Sequence, residues 1–186
     1  MSLRALLTEA GGRRLLAAAR RELHAHFGLD AAVETEGAFE WTSPLGGVFA
    51  TLELGGELRG CIGYFQRDED ILTLTRRAVV AAAVDDPRFG RVSREDVARL
   101  TISITVLAPP VAIRDLSEVV IGRDGLLIER GIARGLLLPQ VAERRGWDPE
   151  AFAAETCRKA GLPHDAWREE GTVVQRFEAV CFEEEE

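Results

Sequence analysis

Leu58-Arg59-Gly60-Cys61-Ile62-Gly63 places a charged side chain, a thiol and two glycines between apolar residues within six positions. The preceding run, residues 48–54, has the composition of a β-strand, and two glycines separate the two runs. Extended runs joined by a glycine-rich turn predict a β-hairpin. Because side chains alternate between the faces of a strand, we expect the arginine and the cysteine on one face and the leucine and isoleucine on the other.

The loop of this hairpin decides which residues lie opposite one another. A two-residue turn would place the leucines of the first strand on the face of Arg59 and Cys61. A three-residue loop with a glycine bulge shifts the pairing by one residue. We prefer this longer loop, because Glu53 then lies opposite Arg59 and Thr51 opposite Cys61. The leucine and isoleucine of the motif are then expected to be buried.

Other segments add to the motif and point to a known family. They are Asp86-Pro87-Arg88-Phe89, residues 135–142 and Lys159-Ala160-Gly161-Leu162. With L-R-G-C-I-G of residues 58–63, they resemble the AMMECR domain family, and the resemblance extends from about Leu15 to Phe182. The prokaryotic members resemble protein A of the three-part AmmeMemoRadiSam system.

The resemblance implies both an architecture and a set of partners. It implies a two-lobed AMMECR-like domain, in which the larger lobe is built from both ends of the chain. We assign residues 1–186 to a single domain, with a larger lobe of about 1–118 plus 171–186 and a smaller lobe of about 119–170. It also implies an accessory component that acts with a Memo-like protein and a radical S-adenosylmethionine enzyme, and that holds a small molecule or a partner around the motif.

The chain in order also predicts an α+β fold. Strands and helices alternate irregularly, with hairpins in place of regular βαβ units, which favours a mainly antiparallel sheet with packed helices. Caps, glycines and prolines mark the helices, and alternating apolar residues mark the strands. We predict helices over about 9–27, 70–84, 139–145 and 149–160, and strands over 48–54, 58–63, 100–106, 125–129, 135–138 and 173–182. Cys157 and Cys181 are expected to be packing residues.

Cys61 is the candidate catalytic residue, because a thiolate is a nucleophile. An arginine about 7 Å away on the same strand face favours the thiolate by only about 0.6 to 1.2 kcal/mol. Arg59 alone therefore does not make Cys61 a strong nucleophile, and a second cation or a helix N-terminus would be needed. The candidate binding residues are Arg59, Gly60, Gly63, Glu53, Thr51, Asp86, Arg88 and Lys159.

Each of these segments also has a purely structural interpretation. The motif could be a tight hairpin in which Gly60 admits a neighbouring segment and Cys61 fills a small pocket. The turn of Asp86 and Arg88 could be a helix end, where the acid binds backbone donors and pairs with the arginine. The functional alternative is that this turn forms a wall of the site of Arg59 and Cys61.

Composition limits the possible functions. The net charge of −8 and the pI of about 5.1 make nucleic acid an unlikely partner. No apolar run of about 18 residues and no secretory leader is present in the sequence, so we expect a cytoplasmic protein away from membranes. Three cysteines without paired spacing favour reduced thiols, and no metal-ligand or cofactor motif is found.

Three functions stay open from the sequence. The first is the accessory component that the resemblance implies. The second is a stand-alone enzyme that uses Cys61 as a nucleophile or redox thiol. The third is a nucleic-acid-linked regulatory protein, which the acidic composition disfavours.

Overall fold

The computed structural model describes residues 7–30, 46–65 and 69–185. The α+β class predicted from the sequence is confirmed. The helices in this part of the chain are α1 (Glu9–His26), α2 (Ile71–Val84), α3 (Pro139–Arg145) and α4 (Pro149–Lys159). Its strands are β1 (Gly47–Leu54), β2 (Glu57–Tyr64), β3 (Leu100–Leu107), β4 (Val111–Ala112), β5 (Asp124–Arg130), β6 (Ala133–Leu137) and β7 (Val173–Glu183). The pairs β1–β2, β1–β3, β4–β7, β5–β6 and β5–β7 are all antiparallel.

The chain divides into two compact units. The first unit contains Met1–Leu107 and Val180–Glu186, and the second contains Ala108–Ala179. In the first unit the strand order is β2-β1-β3, followed by the last residues of β7. In the second unit β7 pairs with β5, β5 pairs with β6, and β4 pairs with β7. The lobe boundaries proposed from the sequence stay a prediction.

The core of the first unit lies between its sheet and two helices. Thr8 caps α1, and Asp70 caps α2 by accepting hydrogen bonds from the first backbone N–H groups of the helix. One face of β1, formed by Val48, Ala50 and Leu52, is fully buried. Helix α2 packs against β1 and β2, and α1 packs against α2 and β3. The opposite face of β1 therefore carries the side chains available for a site.

The β1–β2 hairpin differs from the register that we predicted. Its turn contains two residues, Gly55 and Gly56, both with positive φ, as a tight hairpin turn requires. A bulge then shifts the register, so that Glu53 pairs with Leu58 and not with Arg59. Beyond the bulge, Thr51 lies opposite Cys61, as predicted.

The burial of the motif also needs correction. Leu58 is 39% exposed, and Ile62 is half-buried, although both were expected in the core. The bulge pairs Leu58 with Glu53, so Leu58 lies on the open face of the sheet, near the hairpin turn. The core contact of β2 is made instead by Gly60, which is buried.

The core of the second unit lies around α4. Asp148 caps this helix, Pro149 is its first residue, and Gly161 with positive φ follows its end, as the sequence predicts. Cys157 is fully buried in a cluster with Phe152 and other apolar residues, which confirms its predicted packing role. The same prediction for Cys181, in the first unit, is wrong, because that thiol is exposed.

Candidate functional site

Gly60 fixes the motif strand on helix α2. A Cβ atom at this position would lie 1.9 Å from the carbonyl oxygen of Ala82, so only glycine allows the strand to approach the helix backbone this closely. Neighbouring side chains on a strand point to opposite faces. Because Gly60 faces the helix, the next residue, Cys61, is directed away from it.

Two residues of the loop after α2 bind the backbone of Cys61. The Cys61 N–H donates to Oδ2 of Asp86 at 2.8 Å, and Nη2 of Arg88 donates to the Cys61 carbonyl oxygen at 3.2 Å. Strand β2 is the last strand in the order β2-β1-β3, so these two backbone groups point to the side of the strand that β1 does not cover. The loop therefore takes the place of a further strand at this position.

The carboxylate of Asp86 is the centre of this arrangement. Its side chain is 2% exposed and accepts two hydrogen bonds from the Arg88 guanidinium, from Nε at 3.0 Å and from Nη2 at 2.7 Å. The Arg88 hydrogen bonds, aided by the N–H of Cys61, hold the pKa of Asp86 well below its usual range. The carboxylate is thus ionised at neutral pH while it is almost completely buried.

The thiol of Cys61 lies on the open face of the sheet. It is half-buried, and the hydroxyl of Thr51 donates a hydrogen bond to Sγ at 3.4 Å. Thr51 and Cys61 form a pair in which the Cys61 backbone bonds point away from β1, which brings the two side chains close together. On the other side of Thr51, the neighbour in β3 is Ser103. A thiol and two hydroxyls therefore lie side by side across three strands.

Gly63 has a local packing role beside the thiol. A Cβ atom at Gly63 would lie 2.3 Å from the ring of Phe49, its partner in β1. The ring therefore packs on the glycine, which lies two residues after Cys61 on the same face of the strand. Phe49 makes an edge contact with Phe65, with ring centroids 5.6 Å apart.

Arg59 and Glu53 are close to Cys61 in the hairpin, and neither has a partner among the residues that the structure describes. Both residues are half-buried. Within residues 7–30, 46–65 and 69–185, neither side chain makes an ion pair or hydrogen bond, with each other or with another residue. The guanidinium of Arg88, in contrast, is bound to Asp86, and its pKa is raised first by that hydrogen bond and to a smaller extent by the neighbouring Cys61.

We define the Cys61 patch as Thr51, Glu53, Arg59, Cys61 and Arg88, supported from below by Gly60 and Asp86. The first unit brings all of these predicted residues together, with Gly63 next to them. Lys159 lies in the second unit, exposed in the last turn of α4, and its proposed role stays a prediction.

The sequence analysis did not identify Ser103, Phe49 or Ala82. The alternation of residues 100–107 did predict that Ser103 faces away from the core. The pairing of β3 with β1, which places it next to Thr51, has no signal in one sequence. Ala82 contributes a backbone carbonyl, for which the residue type carries no information.

Two features are absent from the residues that the structure describes. No three of their His, Cys, Asp and Glu side chains are arranged to hold a metal ion. None of their helices has the length and apolar character needed to cross a membrane.

Comparison with known proteins gives consistent matches over most of the chain. A protein of Pyrococcus furiosus is 47% identical over 149 residues, which cover 75% of this chain and 71% of that protein. A protein of Thermococcus kodakarensis is 48% identical over 149 residues, with coverage of 75% and 73%. The crystal structure of an uncharacterized protein from Pyrococcus horikoshii superimposes with a TM-score of 0.85 and 39% identity, and covers 96% of this chain and 94% of that one. The AMMECR1 family model matches residues 16–182, and the chain therefore belongs to the AMMECR1 family.

Proposed function

We propose that this protein is a cytoplasmic accessory component whose functional surface is the Cys61 patch, where it binds a small molecule or a partner protein. The observation that supports this proposal is the fixation of Cys61. The buried Asp86 and its partner Arg88 bind both backbone groups of one residue, and that residue keeps a half-buried thiol. Such fixation pre-organises a binding surface, because the strand loses little freedom when a ligand arrives.

The structural alternative accounts for only part of the arrangement. A capped strand edge explains why Asp86 and Arg88 bind the backbone of Cys61. It does not explain why Arg59 and Glu53 stay half-buried and unpaired among the described residues on the open side. Burial of charged groups without partners is unfavourable, which supports a contact that involves a further molecule.

The partners follow from family resemblance. We propose that the patch acts together with a Memo-like protein and a radical S-adenosylmethionine enzyme, and that it holds a small molecule or contacts one of these proteins. The resemblance supplies these partner classes, and the geometry of the Cys61 patch supplies a surface for them.

The experiment is a binding measurement with purified proteins. This protein is mixed with the Memo-like protein and the radical enzyme from the same genome, and complex formation is measured by calorimetry and light scattering. We expect Arg59→Glu to weaken binding about tenfold or more, a loss of roughly 1.4 kcal/mol. The control is Arg13→Glu, which reverses an exposed charge on α1 in the same unit and should change binding less than about twofold. Equal losses from both variants, or no complex at all, would remove the support for this proposal.

A stand-alone enzyme is the second candidate, and one observation favours it. Sγ of Cys61 accepts a hydrogen bond from the hydroxyl of Thr51, and the guanidinium of Arg88 binds the backbone carbonyl of the same residue, so the thiol is held beside polar groups that a nucleophilic cysteine can use. The test is intact-mass analysis after incubation with a cell metabolite extract. A covalent adduct on the wild-type protein and on Cys181→Ser, but not on Cys61→Ser, would favour the enzyme over the binding component.

A further inference from the structure

The bulge in β2 separates two charges that the sequence predicts to be neighbours. Glu53 pairs with Leu58, and Leu52 pairs with Gly60, so Arg59 is the extra residue without a cross-strand partner. Without the bulge, the register beyond it would place Arg59 directly opposite Glu53. The two side chains could then form a cross-strand pair. The observed backbone leaves the arginine available for another interaction.

Arg59 is half-buried, so its lack of a hydrogen-bond or ion-pair partner among the described residues is significant. A guanidinium that loses part of its water shell needs hydrogen-bond acceptors to replace it. Among the described residues, none supplies an acceptor to Arg59. Glu53 lies on the neighbouring strand of the hairpin, but it forms no ion pair with Arg59.

Arg88 provides a second set of donors next to the backbone of Cys61. Its Nε and Nη2 atoms bind Asp86, and Nη2 also reaches the carbonyl oxygen of Cys61. Nη1 makes none of these bonds, and half of the side chain is exposed, at 50%. The guanidinium of Arg88 also lies over the Phe89 ring, 5.3 Å from its centroid, which fixes the plane of the donors.

We propose that the ligand of the Cys61 patch carries a carboxylate or phosphate group, which binds Arg59 and Nη1 of Arg88 beside the thiol. Guanidinium groups match these planar or tetrahedral oxyanions through paired N–H donors. The hydroxyls of Thr51 and Ser103 lie on the same face and can bind polar groups of the same ligand. This inference rests on the proposed function of the patch and adds the chemical class of the ligand.

The test compares two alkylating reagents that differ in charge. In each reaction the sulfur attacks the methylene carbon, iodide leaves, a thioether forms and the thiol proton passes to the buffer. Iodoacetate carries a carboxylate next to that carbon, whereas iodoacetamide is neutral. The quantity measured is the ratio of the two rates at Cys61, followed by peptide mass spectrometry in the intact protein.

Substitutions at Arg59 decide the outcome. We expect Arg59→Gln to lower the iodoacetate-to-iodoacetamide ratio at Cys61 about three- to eightfold, the effect of one charge about 7 Å away. Arg59→Lys should keep most of the ratio, and Glu53→Gln should raise it. Cys181, exposed in the same unit, is the internal control, and its ratio should not change in any of these variants. An unchanged ratio in Arg59→Gln, or a Cys61 that reacts with neither reagent, would overturn the inference.

Competing anions identify the ligand group. Inorganic phosphate and succinate are added at matched ionic strength, and the anion that slows iodoacetate at Cys61 without slowing it at Cys181 identifies the preferred chemistry. If neither anion acts, the inference is overturned. Complex formation with the partner proteins is measured separately, so a failure here leaves the test of the proposed function intact.

Discussion

Both units of the molecule pack a strand glycine against a helix, but the cysteine of that region is half-buried in one unit and fully buried in the other. Each contains an antiparallel hairpin whose outer strand has a glycine pressed against a helix. A Cβ atom at Gly60 would lie 1.9 Å from a backbone oxygen of α2, and one at Gly135 would lie 2.4 Å from the backbone nitrogen of Ala160 at the end of α4. In the first unit the residue after the glycine is the half-exposed Cys61. In the second unit Cys157 lies on the helix and is fully buried.

Each unit also contains a buried aspartate that is bound to a nearby arginine. Asp124 binds Arg123, accepts a hydrogen bond from Val120 N–H four residues away, and lies 3.6 Å from Nη1 of Arg176 in β7. Asp86 binds Arg88 and reaches back 25 residues in the chain to the N–H of Cys61. Both aspartates therefore pair with arginine, but they differ in the backbone group that they bind: Asp86 holds the N–H of Cys61, which carries a half-buried thiol, and Asp124 holds the N–H of Val120. This contrast is what marks the first unit as the one with the candidate site.

The largest expected difference between the units is the reactivity of their thiols. We expect iodoacetamide to modify Cys157 about a thousandfold more slowly than Cys61. The reagent reaches Cys157 only when the second unit opens locally, which costs about 4 kcal/mol of free energy. Burial also raises the pKa of the Cys157 thiol. Peptide mass spectrometry over a time course gives both rates. Similar rates would contradict the contrast between an open thiol and a packed one.

Substitution of Gly60 and Gly135 tests the close packing of a strand on a helix in each unit. Gly60→Ala and Gly135→Ala should each lower the free energy of unfolding by about 3 kcal/mol, because the added methyl group meets a helix backbone that cannot move aside. Urea unfolding followed by circular dichroism measures the change.

The matched control for these variants is Gly90→Ala. No atom lies within 4 Å of a Cβ at Gly90, so the change should stay within about 0.5 kcal/mol. If Gly60→Ala is tolerated as well as this control, the packing of β2 on α2 that directs Cys61 outwards is wrong.

Substitution of the two buried aspartates tests the role of each one separately. Asp86→Asn should lower the free energy of unfolding by about 2 kcal/mol at neutral pH, because a charged acceptor of several hydrogen bonds is lost. It should also change the alkylation rate of Cys61, whereas Asp124→Asn should leave that rate unchanged. An equal effect of both variants on Cys61 would contradict the specific link between Asp86 and the thiol.

The lowered pKa of Asp86 also predicts how the free energy of unfolding changes with pH. The pKa of Asp86 is lowered in the folded state, chiefly by Arg88, so its contribution to stability is present above the unfolded-state pKa of about 4. That contribution is lost as the pH falls below about 4. Urea midpoints measured over this acidic range should therefore fall more steeply for the wild type than for Asp86→Asn.

The sequence predicted the elements well because their signals are local. Thr8, Asp70 and the pair Asp148-Pro149 begin helices through bonds within their own first turn, and Gly161 follows the end of one through its own backbone conformation. Strand alternation also places Cys61 on the open face of β2, whereas the bulge at Arg59 breaks that alternation. The family resemblance supplied the other segments.

The errors arose where two distant parts of the chain decide the geometry. The bulge at Arg59 depends on how β2 fits on α2, which the turn residues do not reveal. Alternation along the last strand predicts that Cys181 shares the face of Phe177. However, β7 passes from one unit to the other at residues 179 and 180, and the core of the first unit takes Val180, so Cys181 is exposed.

The smallest expected effect concerns the hydroxyl beside the thiol, and it tests whether the first unit does more than present Cys61. Thr51→Val keeps the shape of the side chain and removes the donor to Sγ. Sulfur is a weak acceptor, so the free energy of unfolding should change by less than about 1 kcal/mol. The iodoacetamide rate at Cys61 should fall about two- to fivefold at neutral pH, because the hydroxyl stabilises the charged sulfur that reacts. Ser103→Ala is the matched control, since it removes a hydroxyl from the neighbouring strand on the same face. A rate that falls equally in both variants would indicate a general change of the surface. A rate that is unchanged in Thr51→Val would remove the support for Cys61 as a nucleophile and leave it as one wall of a binding surface.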